Sequence, residues 1–183
     1  MALGGSSAGG NLTLCAVQGL IALDVNVPGA LFVGTPAVEL AKTGDSRYLN
    51  AGVDRSLLQW DGVVDAMARL YAGDLALTDP TIAPIYGSFD GFPPTLLASG
   101  TRDLMLSDTV RAHIKLREAG AEADLLVFEG SSHGDYLKEA KSPESRHFIA
   151  ELDRFLTAHL RSSTRRAPEG EDGMATALDL GVR

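Results

Sequence analysis

The stretch GGSSAGGN, residues 4–11, decides the fold of this chain. It contains the pattern G-x-S-x-G, which is typical of a sharp turn between a strand and a helix. Such a turn forces its central residue into a strained backbone conformation, and small neighbours let strand and helix cross closely. The pattern makes Ser7 a candidate nucleophile, although clusters of small residues also match it by chance.

The sequence on both sides of the turn supports this interpretation. Residues 8–23 have the composition and length of a helix, as the turn requires. Residues 1–3 predict a strand before the turn, shorter than the five or six residues usual for strands. Three more apolar runs bounded by Gly, Pro or charged residues predict buried strands at 28–36, 95–103 and 123–130.

Predicted helices separate these strands. Residues 107–119 form an amphipathic pattern, with Ser107 or Asp108 as N-cap and Gly120 past the end. Residues 56–73 predict a partly buried helix or helix pair, and a last helix opens at Ser142-Pro143. Alternating buried strands and helices predict an α/β fold, with a parallel sheet flanked by helices.

Two partners for Ser7 occur downstream, each in a loop after a predicted strand. Asp103 follows the strand at 95–103, and His133 follows the strand at 123–130. The order Ser, Asp, His is the order of α/β-hydrolases, unlike the orders of chymotrypsin and subtilisin. The carboxyl ends of parallel strands meet at one edge of a sheet, so we expect the three side chains to lie together.

Other residues of the same types fit plainer roles. Asp108 is interpreted as a helix-start residue and Asp135 as a surface charge in a loop. Three histidines lie in predicted helices, where surface or packing roles are typical: His113, His147 and His159. Cys15, inside the first predicted helix, is interpreted as a buried small hydrophobic residue. Trp60 and Tyr71 are interpreted as packing residues, not as substrate platforms.

Composition narrows the function classes. The 183 residues suit one domain, and a net charge of −8 argues against nucleic acid and anionic membranes as partners. The single cysteine excludes a disulfide framework and a cysteine-built zinc site. The sequence contains no metal-ligand spacing and no phosphate-binding loop, so we expect no metal and no cofactor. No basic residue precedes Lys42, which excludes a secretory signal, and the apolar N-terminal stretch is too interrupted for a membrane span. We therefore expect a cytoplasmic protein.

Three separated blocks resemble the hormone-sensitive-lipase-like carboxylesterases. GSSAGGNL at 5–12 is similar to the family's G-D-S-A-G-G-N-L block, with Ser6 where Asp is frequent. The segment DPTIAPIYGSFDGFPPTLLASGTRDLMLSD resembles its acid block, and GSSHGD resembles its G-x-x-H-G-F block, with Asp135 in place of Phe. The resemblance covers about residues 4–160 and matches only the part of the family from the nucleophile turn onward.

The resemblance implies a function. It implies hydrolysis of small to medium acyl esters through an acyl-enzyme, with a small-molecule ester as partner. Ser7 would be the nucleophile, His133 the base, Asp103 the acid that orients it, and the Ala8 N–H an oxyanion donor. A lactonase or peptidase activity is the further alternative, because the fold carries many reactions.

The same resemblance implies a partial fold. No HGG-type oxyanion loop occurs in the sequence, so we expect a fold that lacks the early strands and the N-terminal part of the cap. Residues 1–162 would form the C-terminal portion of the catalytic domain, with 38–72 as a cap-like insertion and 163–183 as a disordered tail. The chain would then be either a working esterase or a weakly active or inactive fragment. An exposed sheet edge would favour association, for example as a homo-oligomer.

Overall fold

The sheet is the centre of the computed structural model, which describes residues 1–160. Within them, four parallel strands lie in the order β1-β2-β3-β4. Their bounds are β1 Ala2–Ser6, β2 Ala30–Gly34, β3 Thr95–Gly100 and β4 Ala123–Phe128. The prediction of a parallel sheet flanked by helices is confirmed.

Helices cover both faces of the sheet. They are α1 Ala8–Ala22, α2 Ser46–Leu49, α3 Val63–Ala72, α4 Leu106–Glu118, α5 Asp135–Lys138 and α6 Pro143–Leu160, with a 3₁₀ turn at Pro84–Tyr86. Successive side chains of a strand point to opposite faces. Leu31 and Val33 of β2 therefore pack with α1 and α4, whereas Phe32 packs with α6. These two apolar layers fix the loops at the carboxyl ends of the strands.

The strand that enters the G-x-S-x-G turn is longer than the sequence predicts. It spans five residues, Ala2–Ser6, because the first glycines join it. Glycine weakens strands in general, but here it permits close contact. A Cβ on Gly4 would lie 2.9 Å from the carbonyl oxygen of Phe32 in the neighbouring strand. The prediction that only residues 1–3 form this strand was wrong.

The region predicted as a helix at 56–73 is helical only from Val63 to Ala72. Leu58 and Gly62 adopt positive φ angles of 62° and 101°, which interrupt the helix before that point. Trp60 is 2% exposed and packs as predicted. Tyr71 is 46% exposed, so the prediction of a packing role for it was wrong.

Three local predictions need correction. Met105, and neither Ser107 nor Asp108, occupies the N-cap of α4. The loop predicted around His133 contains the short helix α5. Cys15 is half-buried instead of buried, and partial burial raises the pKa of its thiol to about 11. By contrast, Gly120 follows α4 with a φ of 80°, as the C-terminal signal predicts.

A second core lies under residues 38–72, and it contains a buried ion cluster. Arg47 contacts Glu39 and Asp108 at 2.7 Å each, all three side chains are fully buried, and the Arg47 guanidinium stacks 3.7 Å from the Trp60 ring centre. Asp108 is thus a buried ion-pair partner more than a helix-start charge. The cluster joins residues 38–72 to α4.

The assignments of 1–162 as one catalytic portion and 38–72 as a cap-like insertion stay predictions. The predicted tail at 163–183 lies outside the described residues. Among helices within residues 1–160, none combines the length and apolar character that crossing a bilayer requires.

Candidate active site

Ser7 lies at a strained turn between β1 and α1. Its φ of 60° and ψ of −121° are sparsely populated for a residue with a side chain. The Ser7 N–H donates to the carbonyl oxygen of Gly34 at 2.8 Å, which ties the turn to β2. Although Ser7 occupies the N-cap of α1, its hydroxyl makes no capping hydrogen bond. The hydroxyl is therefore free of the helix that it precedes.

Small residues allow this turn. A Cβ on Gly5 would lie 2.4 Å from the carbonyl oxygen of Gly9, so any side chain there would push strand and helix apart. Ala8 is the first residue of α1, and the first N–H groups of a helix have no intrahelical acceptor. The Ala8 N–H and the positive end of the helix dipole thus adjoin Ser7, as an oxyanion donor requires.

Asp103 and His133 are joined by a hydrogen bond between loops that follow β3 and β4. His133 Nδ1 lies 2.9 Å from Asp103 Oδ1, and the two residues are 8% and 0% exposed. A carboxylate at Nδ1 holds the proton on that nitrogen and leaves Nε2 free to accept one. This is the orientation of a general base.

Neutral donors hold the Asp103 carboxylate. The Met105 N–H donates to Oδ1 at 2.8 Å, and the Ser99 hydroxyl donates to Oδ2 at 3.0 Å. The Thr35 hydroxyl also donates to Oδ2. Since none of these donors carries a charge, the negative charge of the buried carboxylate is left to interact with the imidazole.

Thr35 is a site residue that the sequence prediction missed. Besides its bond to Asp103, its Oγ1 lies 2.9 Å from His133 Nδ1. The strand predicted at 28–36 included Thr35, which hid its position directly after β2. Each of the four strands contributes one residue at its carboxyl end: Ser7, Thr35, Asp103 and His133. That position after a strand was the available signal.

The sequence prediction also missed Asp54, which binds backbone groups of the loop that carries His133. Its buried carboxylate accepts hydrogen bonds from the N–H groups of Leu104 at 2.9 Å, Ser56 at 2.8 Å and His133 at 3.4 Å. Asp54, Asp103 and His133 place possible ligand atoms within 4.8 Å of one another. The oxygens of both carboxylates already accept several hydrogen bonds, so this donor set fits a hydrogen-bonded cluster better than a metal ion.

Tyr136 anchors the loop that carries His133. Its hydroxyl donates to the carbonyl oxygen of Ala98 in β3 at 3.2 Å, and its ring stacks on Phe128 at 5.1 Å. Burial, and to a smaller extent the nearby Asp103 charge, raise the pKa of Tyr136 well above its usual range. The phenol therefore stays neutral and keeps its role as a donor.

Asp135 pairs with cations at the rim of the site. Its carboxylate accepts from Arg55 at 2.9 Å, from Lys138 at 3.1 Å and from the Ser132 N–H at 2.9 Å. Partial burial alone would raise the pKa of Asp135, but these three donors outweigh burial and lower it. Asp135 is thus a charged rim residue that closes the loop around His133.

The remaining candidates lie away from this cluster. His113 contacts the Ala123 carbonyl oxygen at 3.2 Å, and His159 lies 3.5 Å from Glu122. His147 packs edge-on against Phe128. Among hydrogen bonds of residues 1–160, none joins the Ser7 hydroxyl to His133.

Comparisons with known proteins agree with this architecture. The family model described as alpha/beta hydrolase fold matches residues 1–137. An esterase of Acinetobacter venetianus is 26% identical over 156 residues, which are 85% of this chain and 51% of the relative. The chain thus spans about half the length of this curated relative.

Solved structures give the same picture. One esterase crystal structure matches with 56% identity and a TM-score of 0.85, over 86% of this chain and 48% of its own. An esterase from the bacterial hormone-sensitive lipase family matches with 31% identity and a TM-score of 0.82, over 87% of this chain and 53% of its own. The predicted resemblance to part of that group is confirmed. The chain belongs to the alpha/beta hydrolase fold family, and the relatives named above are esterases.

Proposed function

We propose that this chain carries the catalytic residues of a carboxylic ester hydrolase that acts on small to medium acyl esters. The observation that carries the proposal is the 2.9 Å hydrogen bond between His133 Nδ1 and the buried Asp103 carboxylate, at the edge of the sheet where Ser7 occupies a strained turn. Esterase relatives over most of the chain give further support.

In this mechanism Ser7 Oγ attacks the acyl carbon of the ester while His133 Nε2 accepts its proton. The Ala8 N–H stabilises the oxyanion of the tetrahedral intermediate. The intermediate then expels the alcohol, which takes the proton from His133 and leaves an acyl group on Ser7. Water, deprotonated by His133, attacks this acyl-enzyme, and the acid leaves as Ser7 regains its proton. Asp103 stabilises the imidazolium in both halves of the reaction.

Covalent labelling tests the nucleophile directly. The purified 183-residue chain would be incubated with an activated alkyl phosphonate, which reacts with an activated serine, and its intact mass measured. We expect one phosphonyl group per chain, lost in Ser7→Ala and kept in the neighbouring control Ser6→Ala. A series of p-nitrophenyl esters would then rank acyl lengths. A folded chain that takes up no label contradicts the proposal for this chain.

An inactive or weakly active fragment is the second candidate. Two observations favour it: the chain spans about half of its relatives, and within residues 1–160 β1 pairs on one side only. Losing one oxyanion donor typically lowers turnover by about 10² to 10³. Slow phosphonate labelling of a chain whose spectra show that it is folded would indicate a weakly active fragment. We also propose that copies of the chain associate through the open edge of β1, which sedimentation would test. A cytoplasmic location is a further part of the proposal.

A further inference from the structure

We propose that Thr35 is a positioning residue that fixes the tautomer of His133, an inference that rests on the proposed function for its catalytic meaning. The Thr35 hydroxyl contacts both members of the buried pair. It donates its proton to Asp103 Oδ2, and its oxygen lies 2.9 Å from His133 Nδ1. A hydroxyl can donate one bond and accept others at once.

The proton on His133 Nδ1 therefore has two acceptors at equal distance. Asp103 Oδ1 and Thr35 Oγ1 each lie 2.9 Å from the nitrogen. In the other tautomer, Nδ1 would be an acceptor facing a carboxylate and a hydroxyl already committed to that carboxylate. Thr35 thus disfavours the tautomer whose Nε2 could not take the proton of Ser7.

The backbone at Thr35 is strained to reach this place. Its φ of 39° is unusual for a β-branched residue, and Pro36 follows it, which restricts Thr35 further. The Thr35 N–H donates to the Ala98 carbonyl oxygen at 2.6 Å, and the residue is fully buried. Strain of this kind persists where the surroundings impose it, and it concentrates at functional sites.

Ser99 offers a matched control for this role. Its hydroxyl donates to the same Asp103 Oδ2 at 3.0 Å, but it makes no hydrogen bond with His133. If Thr35 only supported Asp103, removing either hydroxyl would have a similar effect on the imidazole. If Thr35 acts on the imidazole itself, the two variants will differ.

The test is nitrogen NMR of the full chain labelled with ¹⁵N-histidine, with His133 assigned by His133→Gln. The ratio of Nδ1–H to Nε2–H tautomer would be compared in wild type, Thr35→Val, Thr35→Ser and Ser99→Ala. We expect the ratio to fall about three- to tenfold in Thr35→Val, the worth of one net hydrogen bond. Thr35→Ser should restore the ratio, and Ser99→Ala should change it less than Thr35→Val.

An unchanged ratio in Thr35→Val, or an equal fall in Ser99→Ala, overturns the role of Thr35. If Thr35→Val does not fold, Thr35→Ala measured against Thr35→Ser gives the same comparison. This readout needs no turnover. A wild-type chain that takes up no phosphonate would contradict only the proposed function. A tautomer ratio and a labelling rate that are both unchanged in Thr35→Val would contradict only the inference about Thr35.

Discussion

Two fully buried aspartates on either side of the start of α4 carry their charges in different ways. Asp103 is held by uncharged donors and faces an imidazole. Asp108 faces the Arg47 guanidinium, which also contacts Glu39. The first arrangement leaves a negative charge for a partner that gains and loses a proton. The second places one permanent cation between two carboxylates and joins two segments of the chain.

The cluster around Arg47 also leaves several buried polar atoms without a hydrogen bond. Arg47 Nε, Arg47 Nη1 and Asp108 Oδ1 are buried without a hydrogen bond among the described residues. Nη1 lies 2.7 Å from Glu39 Oε1, so this contact is ionic but poorly aligned. Burial, opposed by Arg47 and reinforced by Glu39, raises the pKa of Asp108 from 3.8 to about 6. Burial thus favours the protonated form of Asp108, although Arg47 and the N–H groups of Val38 and Glu39 all donate to its Oδ2.

Asp103→Asn should give the largest effect. The amide would donate to His133 Nδ1 and favour the tautomer with Nε2 protonated, so we expect the rate of ester hydrolysis or serine labelling to fall about 10⁴-fold. This corresponds to about 5 kcal/mol in the barrier. Labelling kinetics would measure the rate, and urea unfolding would verify the fold. A rate within tenfold of wild type in a folded variant would remove Asp103 from the mechanism.

Arg47→Met should mainly affect stability. It leaves Glu39 and Asp108 buried without a cation, and breaking a buried pair in this way costs about 3–5 kcal/mol. Urea unfolding would measure the loss. The triple variant Glu39→Leu, Arg47→Met, Asp108→Leu should recover part of it, because no charge is then left unpaired. Recovery stays incomplete, since the N–H groups of Val38, Glu39, Ala41 and Thr43 lose their carboxylate acceptors. Equal losses in the single and triple variants would argue that packing, not charge, dominates this cluster.

Because the pKa of Asp108 is raised, the stability that it contributes should fall as pH rises. A carboxylate with a lowered pKa would have the opposite effect. Folded Asp108 binds its proton more tightly than the unfolded residue, so its contribution is complete below about pH 4 and is lost as pH rises through about 6. Raising the pKa from 3.8 to about 6 corresponds to about 3 kcal/mol in the free energy of unfolding. Urea unfolding at several pH values should show wild type losing stability relative to Asp108→Asn across this window. Parallel curves would refute the assignment.

Asp135→Asn should have the smallest effect. It removes pairs with Arg55 and Lys138, whose side chains are 72% and 52% exposed. Exposed pairs contribute about 1 kcal/mol or less, and salt screens them. We expect a small shift in the urea midpoint that vanishes in high salt. A loss as large as that of Arg47→Met would mean that the loop around His133 depends on this rim charge.

Local signals predicted the parallel sheet, α1, α4 and α6, and they placed Ser7, Asp103 and His133 directly after strands or in the loops that follow them. Apolar runs, caps and glycines act over a few residues, and loops after parallel strands meet by topology. The partners of those residues were not predictable in the same way. Thr35 and Ser99 are ordinary hydroxyl residues until the fold brings them to Asp103.

Local patterns also left two features of the fold unpredicted. Asp108 lies in the first turn of α4, as predicted, but its pairing with Arg47, 61 residues away, has no local signal. The helix predicted at 56–73 was shortened by positive φ angles at Leu58 and Gly62, which side-chain periodicity does not report.

The two outer glycines of G-x-S-x-G are equivalent in a motif but unequal in mutational tolerance. A methyl group at Gly5 would meet the Gly9 carbonyl group, whereas one at Gly9 would meet no heavy atom within 4 Å among the described residues. Gly9 also lies in the first turn of α1, where alanine is the better helix former. Natural variation and directed-evolution libraries should therefore accept alanine at the second glycine while the first stays invariant.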